Sequence, residues 1–307
     1  MDMQDVTALA GKQRVFRSRE KIQEAGYISH ITQRAAGREP LFLENNDYLD
    51  MLGLLKEAAH HFDLCFYAFC LMPNHVHLLL EPRHANLSKA MHAIFSRYSK
   101  RFNSKYQRRG HIFGGPYRQA ICLDNSYFLA ASIYIHLNPV RAKLIKLAPD
   151  YRWSSCSLYC NMNAPLSFVD PGPVLELLDR EDMSQAKKQY ATILQEATQE
   201  ETENALEQEG AIAGLLSRLA SMFPKLFKRI AQKGGQEGNT QQKIPDLVEL
   251  EEQLQQLASS NPRSPETLQA RKYLVEQLIA RGYKKSEIAH KLQLSRKTIY
   301  NTLHTHS

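Results

Sequence analysis

The sequence lacks the segments that would place a protein in a membrane or outside the cell. No run of apolar residues approaches the length of about eighteen that a membrane-spanning helix needs. Residues 1–19 contain no apolar stretch of the secretory type. We therefore expect a protein that stays inside the cell and has no membrane partner.

Cysteine is scarce as well, with five residues in 307 and no CxxC pair. An odd number of cysteines in an intracellular protein argues against a disulfide framework. Cys65, Cys70 and Cys122 stand among strand-like apolar residues, where we expect them to act as small buried hydrophobic side chains.

Basic residues outnumber acidic ones, and the resulting net charge of +7 is unevenly distributed along the chain. Residues 1–160 carry 21 Lys and Arg against 13 Asp and Glu, or +8. Residues 161–260 carry 9 against 16, or −7, and residues 261–307 carry 9 against 3, or +6. Two basic ends around an acidic middle favour a polyanionic partner over an ordinary solvated surface.

The hydrophobic pattern predicts a β-α-β-β-α-β order followed by a further helix. Strands are predicted near 27–32, 64–71, 75–80 and 117–123, and helices near 45–61, 86–106 and 127–137. This order is typical of an α+β fold with a ferredoxin-like split βαβ arrangement and an antiparallel sheet. The length predicts several units, which we place at 1–160, at an acidic helical or linker region 161–260, and at a helical module 261–307.

Met72-Pro73-Asn74-His75-Val76-His77-Leu78 is the most informative stretch. Side chains alternate along a strand, so His75 and His77 share one face while Val76 and Leu78 point into a core. Two neutral imidazoles side by side on a rigid strand can bind one divalent metal ion. Two partly exposed histidines with no metal are the alternative for this pattern alone.

A second pattern lies in Tyr134-Ile135-His136-Leu137-Asn138-Pro139. Tyr134 and Asn138 are four residues apart and so share a helix face, and Pro139 should end or kink the helix at Asn138. A phenol beside an amide oxygen suggests a nucleophile next to a metal ligand. A core aromatic residue followed by a helix cap is the alternative.

Together these patterns resemble the HUH single-strand nucleases, in particular the single-tyrosine transposases of bacterial insertion sequences and their REP-associated relatives. The resemblance covers roughly residues 25–160. Its motifs are PNHVHLLL at 73–80, GHIFGGPYR at 110–118 and YIHLNPVRA at 134–142.

The resemblance implies the chemistry. His75, His77 and Asn138 would be the ligands of Mg²⁺ or Mn²⁺, and Tyr134 would be the nucleophile. The expected activity is nicking and joining of single-stranded DNA through a 5′-phosphotyrosine. Partners would be single-stranded and hairpin DNA, as in transposon or REP-like elements. The expected location is the bacterial cytoplasm, at the nucleoid, and a homodimer is possible.

Several other residues are weaker candidates. Tyr127 lies seven residues before Tyr134 without an amide four residues later, so we interpret it as packing. His111 and His136 are candidates of lower rank, and His136 is expected to be structural or on the surface. A basic ridge along the second long helix and its exit, with one arginine at the end of the glycine-rich loop, either contacts DNA or is a solvated face: Arg97, Arg101, Lys105, Arg108, Arg109 and Arg118.

The C-terminal module resembles a helix-turn-helix. Helices are predicted at 268–281, ended by Gly282, at 286–292 and from Ser295 to about residue 304. The third helix offers four side chains to duplex DNA, namely Arg296, Lys297, Tyr300 and Asn301. A helical dimerisation module is the alternative. The standard REP-associated form lacks this extension, so the catalytic domain alone need not select the DNA target here. The competing function is a DNA-binding transcriptional regulator with a catalytically idle transposase-like domain.

Overall fold

The computed structural model describes residues 21–22, 24–122, 124–199, 211–233, 271, 275 and 285–304. The chain divides into two compact units, one spanning residues 15–237 and the other containing residues 238–307. The domain boundaries expected at residues 160 and 260 remain predictions.

The first unit is built on a four-stranded antiparallel sheet with the order β2-β3-β1-β4. Its strands are β1 (Ser29–Arg34), β2 (Leu64–Met72), β3 (His75–Pro82) and β4 (Arg118–Ile121). Its helices are α1 (Asn45–His61), α2 (Leu87–Lys105), α3 (Asn125–Arg141), α4 (Cys156–Cys160), α5 (Gly172–Leu175), α6 (Met183–Gln199), α7 (Ala211–Met222) and α8 (Pro224–Lys233). The predicted fold class and element order are confirmed.

Helix α3 begins as the sequence predicts, because the Asp124 side chain accepts a hydrogen bond from the backbone N–H of Tyr127 at 2.8 Å. The predicted end of this helix is wrong. The helix continues past Pro139 to Arg141. Pro139 has no N–H to donate to the carbonyl oxygen of Ile135. Nδ2 of Asn138 donates to the carbonyl oxygen of Tyr134 at 2.8 Å and lies 3.5 Å from the carbonyl oxygen of Ile135. The Asn138 side chain thus bonds to its own helix at the turn where proline removes a backbone donor.

Residues beyond 160 cover α3. Every residue of α3 from Ser126 to Pro139 is buried, and the helix contacts α6, α7 and α8 as well as the sheet. Tyr190 of α6 shows how close this packing is, since its hydroxyl lies 2.8 Å from Nδ1 of His136 and 3.1 Å from Oγ of Ser132. A helix that is apolar all round requires such cover on every side.

The C-terminal unit has two described helices, α9 (Lys285–Lys291) and α10 (Arg296–His304). Oγ of Ser295 accepts from the backbone N–H of Thr298 at 3.0 Å, so Ser295 caps α10 as expected. Ile288 and Ile299 are buried between the helices. Most of the predicted first helix and its Gly282 cap lie outside the described residues. The helix-turn-helix remains a prediction.

Among the residues that the structure describes, no helix is long and apolar enough to cross a membrane. All five cysteines are in the thiol form. Cys70 and Cys122 are buried as predicted, whereas Cys65 is half-buried, with its sulfur 3.2 Å from Nε of Arg83.

Candidate active site

The strand register brings one polar row across a face of the sheet. Cys70 of β2 pairs with His77 of β3, which pairs with Thr32 of β1, which pairs with Arg118 of β4. Residues directly opposite each other in antiparallel strands project from the same face. This face also carries His75, with Arg34 as its partner across β1 and β3, and His30 by the alternation of β1.

Helix α3 lays Tyr134 over this row. The ring centroid of Tyr134 lies 5.8 Å from those of both His77 and His30, in edge-to-face arrangements. The rings of His75 and His77 are 4.8 Å apart. The two histidines of the motif and the tyrosine therefore converge, although 57 positions separate His77 from Tyr134 in the sequence.

The two motif histidines are buried, with 8% and 2% of their surfaces exposed. Strand alternation predicted that both rings lie on the face opposite Val76 and Leu78, and they are not the partly exposed histidines of the alternative interpretation. The reason is that α3 covers the polar face, while Val76, Leu78 and Leu80 are fully buried on the opposite one.

Neighbouring side chains set the hydrogen bonds of both imidazoles. Nδ1 of His75 lies 2.7 Å from Oδ1 of Asn74, an oxygen that can only accept, so the Nδ1–H of His75 donates and the ring's lone pair is on Nε2. Nδ1 of His77 lies 2.9 Å from Nε2 of His30 and 3.3 Å from Oγ1 of Thr32. Nε2 of His77 is buried and has no hydrogen-bond partner among the described residues.

Burial and neighbouring charges favour the neutral form of the His77 and His30 rings. Burial, the nearby His75 and His30 rings and the charge of Arg34 hold the pKa of His77 well below its usual range. Burial, followed by the charge of His75, lowers the pKa of His30 to about 4. Neutral imidazole is the form that binds a metal ion.

The donor set fits a divalent ion. The buried, unsatisfied Nε2 of His77 and the Nε2 lone pair of His75 are imidazole donors of the kind that binds such ions. Within the described part of the chain, no three His, Cys, Asp or Glu side chains are grouped to hold a metal. Asn138 is buried and bonded along its own helix through Nδ2. An amide oxygen, its Oδ1, is the remaining donor that it could offer.

The weaker candidates are also placed. Tyr127 is buried on α3, and burial raises the pKa of its hydroxyl well above the usual value. His136 is fully buried and hydrogen-bonded to Tyr190 and, at 2.8 Å, to Oγ of Ser155, which supports a structural role for it. His111 is exposed.

The predicted basic ridge on α2 is paired with carboxylates of α1 and its approach. The pairs are Arg97 with Glu57 at 2.7 Å, Arg101 with Asp50 at 3.5 Å, Lys105 with Glu44 and Asp47 at 2.5 and 2.6 Å, and Arg108 with Glu39. The pairs of Arg97 and Arg101 are exposed and contribute little to stability, whereas Asp47, a partner of Lys105, is buried. Arg109 is exposed, whereas Arg118 lies on the site face.

Sequence reasoning missed His30 and Arg34. Both belong to β1, which carried no recognised motif. The alternation of His30 with Thr32 and Arg34 was a signal that one face of this strand is polar, but it does not reveal which strand lies beside it.

The part of the chain that contains this site is similar to known proteins. Residues 25–138 match the family model described as IS200-like transposase. This part of the chain is therefore similar to the IS200-like transposases. A solved structure of a REP-associated tyrosine transposase bound to a REP hairpin shares 14% identity, covers 50% of this chain and 93% of its own, and has a TM-score of 0.41. No curated protein matches the chain.

Proposed function

We propose that the protein nicks and rejoins single-stranded DNA through Tyr134, with His75 and His77 holding a divalent metal ion. The observation that carries this proposal is the convergence of the Tyr134 ring on the His77 ring at 5.8 Å, within a buried polar face. Arg34 and Arg118, on the same face, are suited to DNA phosphates.

The chemistry is a phosphoryl transfer. The Tyr134 oxygen attacks a phosphorus of the strand, and the bond from phosphorus to the 3′ oxygen breaks. The phenol loses a proton and the 3′ oxygen gains one, giving a 5′-phosphotyrosine and a free 3′-OH. No water is consumed, so the reverse attack by a 3′-OH rejoins the strand. A bound Mg²⁺ or Mn²⁺ would polarise the non-bridging phosphate oxygens.

The direct test is a DNA adduct that survives denaturation. The full chain is incubated with a 3′-labelled single-stranded hairpin oligonucleotide and Mn²⁺, then run on a denaturing gel. We expect a labelled band at the size of the protein and a released 5′ fragment ending in 3′-OH. Binding without cleavage or adduct would instead support the regulator with an idle domain.

His30 should position His77. For Nε2 of His77 to hold a lone pair, the ring proton must be on Nδ1, and the nearer acceptor for it is Nε2 of His30 at 2.9 Å, against 3.3 Å for Oγ1 of Thr32. We expect His30→Phe, which keeps a ring but removes the acceptor, to weaken Mn²⁺ binding by about 10- to 100-fold in calorimetry. His30→Gln, which restores an acceptor oxygen, should recover part of that loss. Equal Mn²⁺ affinity in wild type and His30→Phe would refute the assignment.

The C-terminal module should act separately from the chemistry. Arg296, Lys297, Tyr300 and Asn301 are all exposed on α10, as duplex contacts require. We expect removal of residues 261–307 to weaken DNA association while cleavage of a short single strand persists. The log–log salt slope of binding should fall by about 0.9 for each duplex phosphate that the module would otherwise neutralise.

The matched variant for this truncation is Arg296→Gln with Lys297→Gln in the full chain. It should reproduce part of the slope change without removing any helix. If both proteins keep the affinity and slope of wild type, a dimerisation role is the better explanation of the module.

A further inference from the structure

The acidic middle of the chain contains a segment whose charged residues are all basic. Residues 211–233, which form α7 and α8, include five Lys and Arg and no Asp or Glu. The sixteen acidic residues of the region 161–260 all lie between 170 and 209 or between 237 and 252. Net charge over the region therefore hides a local excess of +5.

This cationic segment packs against the helix that carries Tyr134. Helices α7 and α8 both contact α3. Arg141, two turns beyond Tyr134 on α3, is half-buried, and its pKa is lowered by burial and then by the positive charge of Arg218 from α7. The positive charge that Arg218 adds near Arg141 favours an anionic partner at this end of α3.

A cleft lies between α6 and α8, with a volume of about 480 Å³. Three basic side chains line it, namely Lys188, Lys225 and Arg229. Its apolar wall is formed by Ile193, Phe223 and Leu226, and the other lining residues are Gln185, Gln189 and Thr192. No described acidic side chain lines the cleft.

All three basic residues of the cleft are exposed, and Arg229 also donates a hydrogen bond from Nη2 to the carbonyl oxygen of Leu178 at 2.5 Å. Asp182 precedes α6, and its carboxylate accepts hydrogen bonds from the backbone N–H groups of Ser184 and Gln185. Phe223 is half-buried at the junction of α7 and α8. The cleft thus combines cations for phosphates with an aromatic and aliphatic wall for a base.

We propose that the cleft between α6 and α8 binds single-stranded DNA, as a track for the strand that Tyr134 cuts. The proposal rests on the proposed function. Cations beside an aromatic side chain are the pattern of sequence-independent single-strand binding, in which phosphates pair with cations and bases stack on rings. Duplex DNA keeps its bases stacked in its interior, so they cannot contact the apolar wall of the cleft.

The test measures binding rather than cleavage, in the full chain carrying Tyr134→Phe. The probe is a fluorescent oligothymidylate of twenty nucleotides, titrated across a salt series. Lys188→Gln with Lys225→Gln should lower affinity by on the order of tenfold near 0.1 M salt and reduce the log–log slope by about 1.4, since each neutralised phosphate of a single strand contributes about 0.7. The matched control, Lys56→Gln with Lys89→Gln, removes the same charge from exposed sites on α1 and α2 and should change neither.

Two comparisons decide the occupant. Phe223→Leu keeps an apolar side chain but removes the ring. It should lower the affinity for the single strand severalfold and leave the affinity for a blunt duplex unchanged. An unchanged slope in the cleft variant, or an equal loss in the control variant, overturns the cleft as a site. If the Lys188→Gln, Lys225→Gln variant loses equal affinity for duplex and single strand, and Phe223→Leu has no effect, the single strand is not the occupant of the cleft. A protein that binds no DNA in any form would instead contradict the proposed function.

Discussion

Tyr134→Phe should abolish the covalent protein–DNA adduct and reduce cleavage by on the order of 10³-fold or more, since losing a nucleophile removes the covalent step itself. Affinity for a single-stranded oligonucleotide should stay near that of wild type. The reason is that only a hydroxyl is lost, while the ring keeps its edge contacts with His77 and His30 at 5.8 Å. The measurements are a denaturing gel for the adduct and anisotropy for binding.

Tyr127→Phe is the matched control, because it removes the same atom two turns upstream on the same buried helix. It should keep the adduct. If Tyr134→Phe still forms an adduct and Tyr127→Phe does not, the nucleophile is Tyr127 and the proposed geometry is wrong.

His77 should be the residue whose loss weakens metal binding most. Its Nε2 is buried without a hydrogen-bond partner among the described residues, so a metal ion would satisfy an atom that otherwise lacks one. We expect His77→Phe to lower Mn²⁺ affinity by on the order of 100-fold or more and to abolish the adduct, because loss of a ligand should exceed the 10- to 100-fold effects of its hydrogen-bond partners. Phenylalanine is preferred to alanine, since the side chain is only 2% exposed and truncation would leave a cavity.

The control for this prediction is His92→Ala, an exposed histidine on α2. It should retain wild-type Mn²⁺ affinity in calorimetry and wild-type adduct formation. Thermal unfolding of the apo proteins separates a ligand effect from loss of the fold. Wild-type Mn²⁺ affinity in a folded His75→Ala, His77→Phe double variant would remove both residues from the metal site.

Much of the first unit could be predicted from local patterns. The turn at Pro73-Asn74 separates two apolar runs that form adjacent strands, and Asp124 caps the helix that carries Tyr134. Strand alternation placed His75 and His77 on one face, and helical spacing placed Tyr134 and Asn138 together. These features depend on interactions among neighbours in the sequence, which is why they can be read from it.

The helix end at Pro139 shows where a local rule fails. Proline disfavours the helical conformation for the residue before it, yet Asn138 remains in the helix, with its Nδ2 donating to the carbonyl of Tyr134. The rule describes an average residue before proline, and it does not hold at this position.

The sequence by itself determined the order of the elements, the histidine pair and the tyrosine–asparagine spacing, because strand and helix periods act over a few residues. Only the tertiary structure decided that α3 covers the polar face, that His30, Arg34 and Arg118 join it, and that the ridge on α2 is paired with α1. It alone brought the cationic α7 and α8 against the tyrosine helix. Strand register and helix packing depend on contacts between residues far apart in the chain, which no local period encodes.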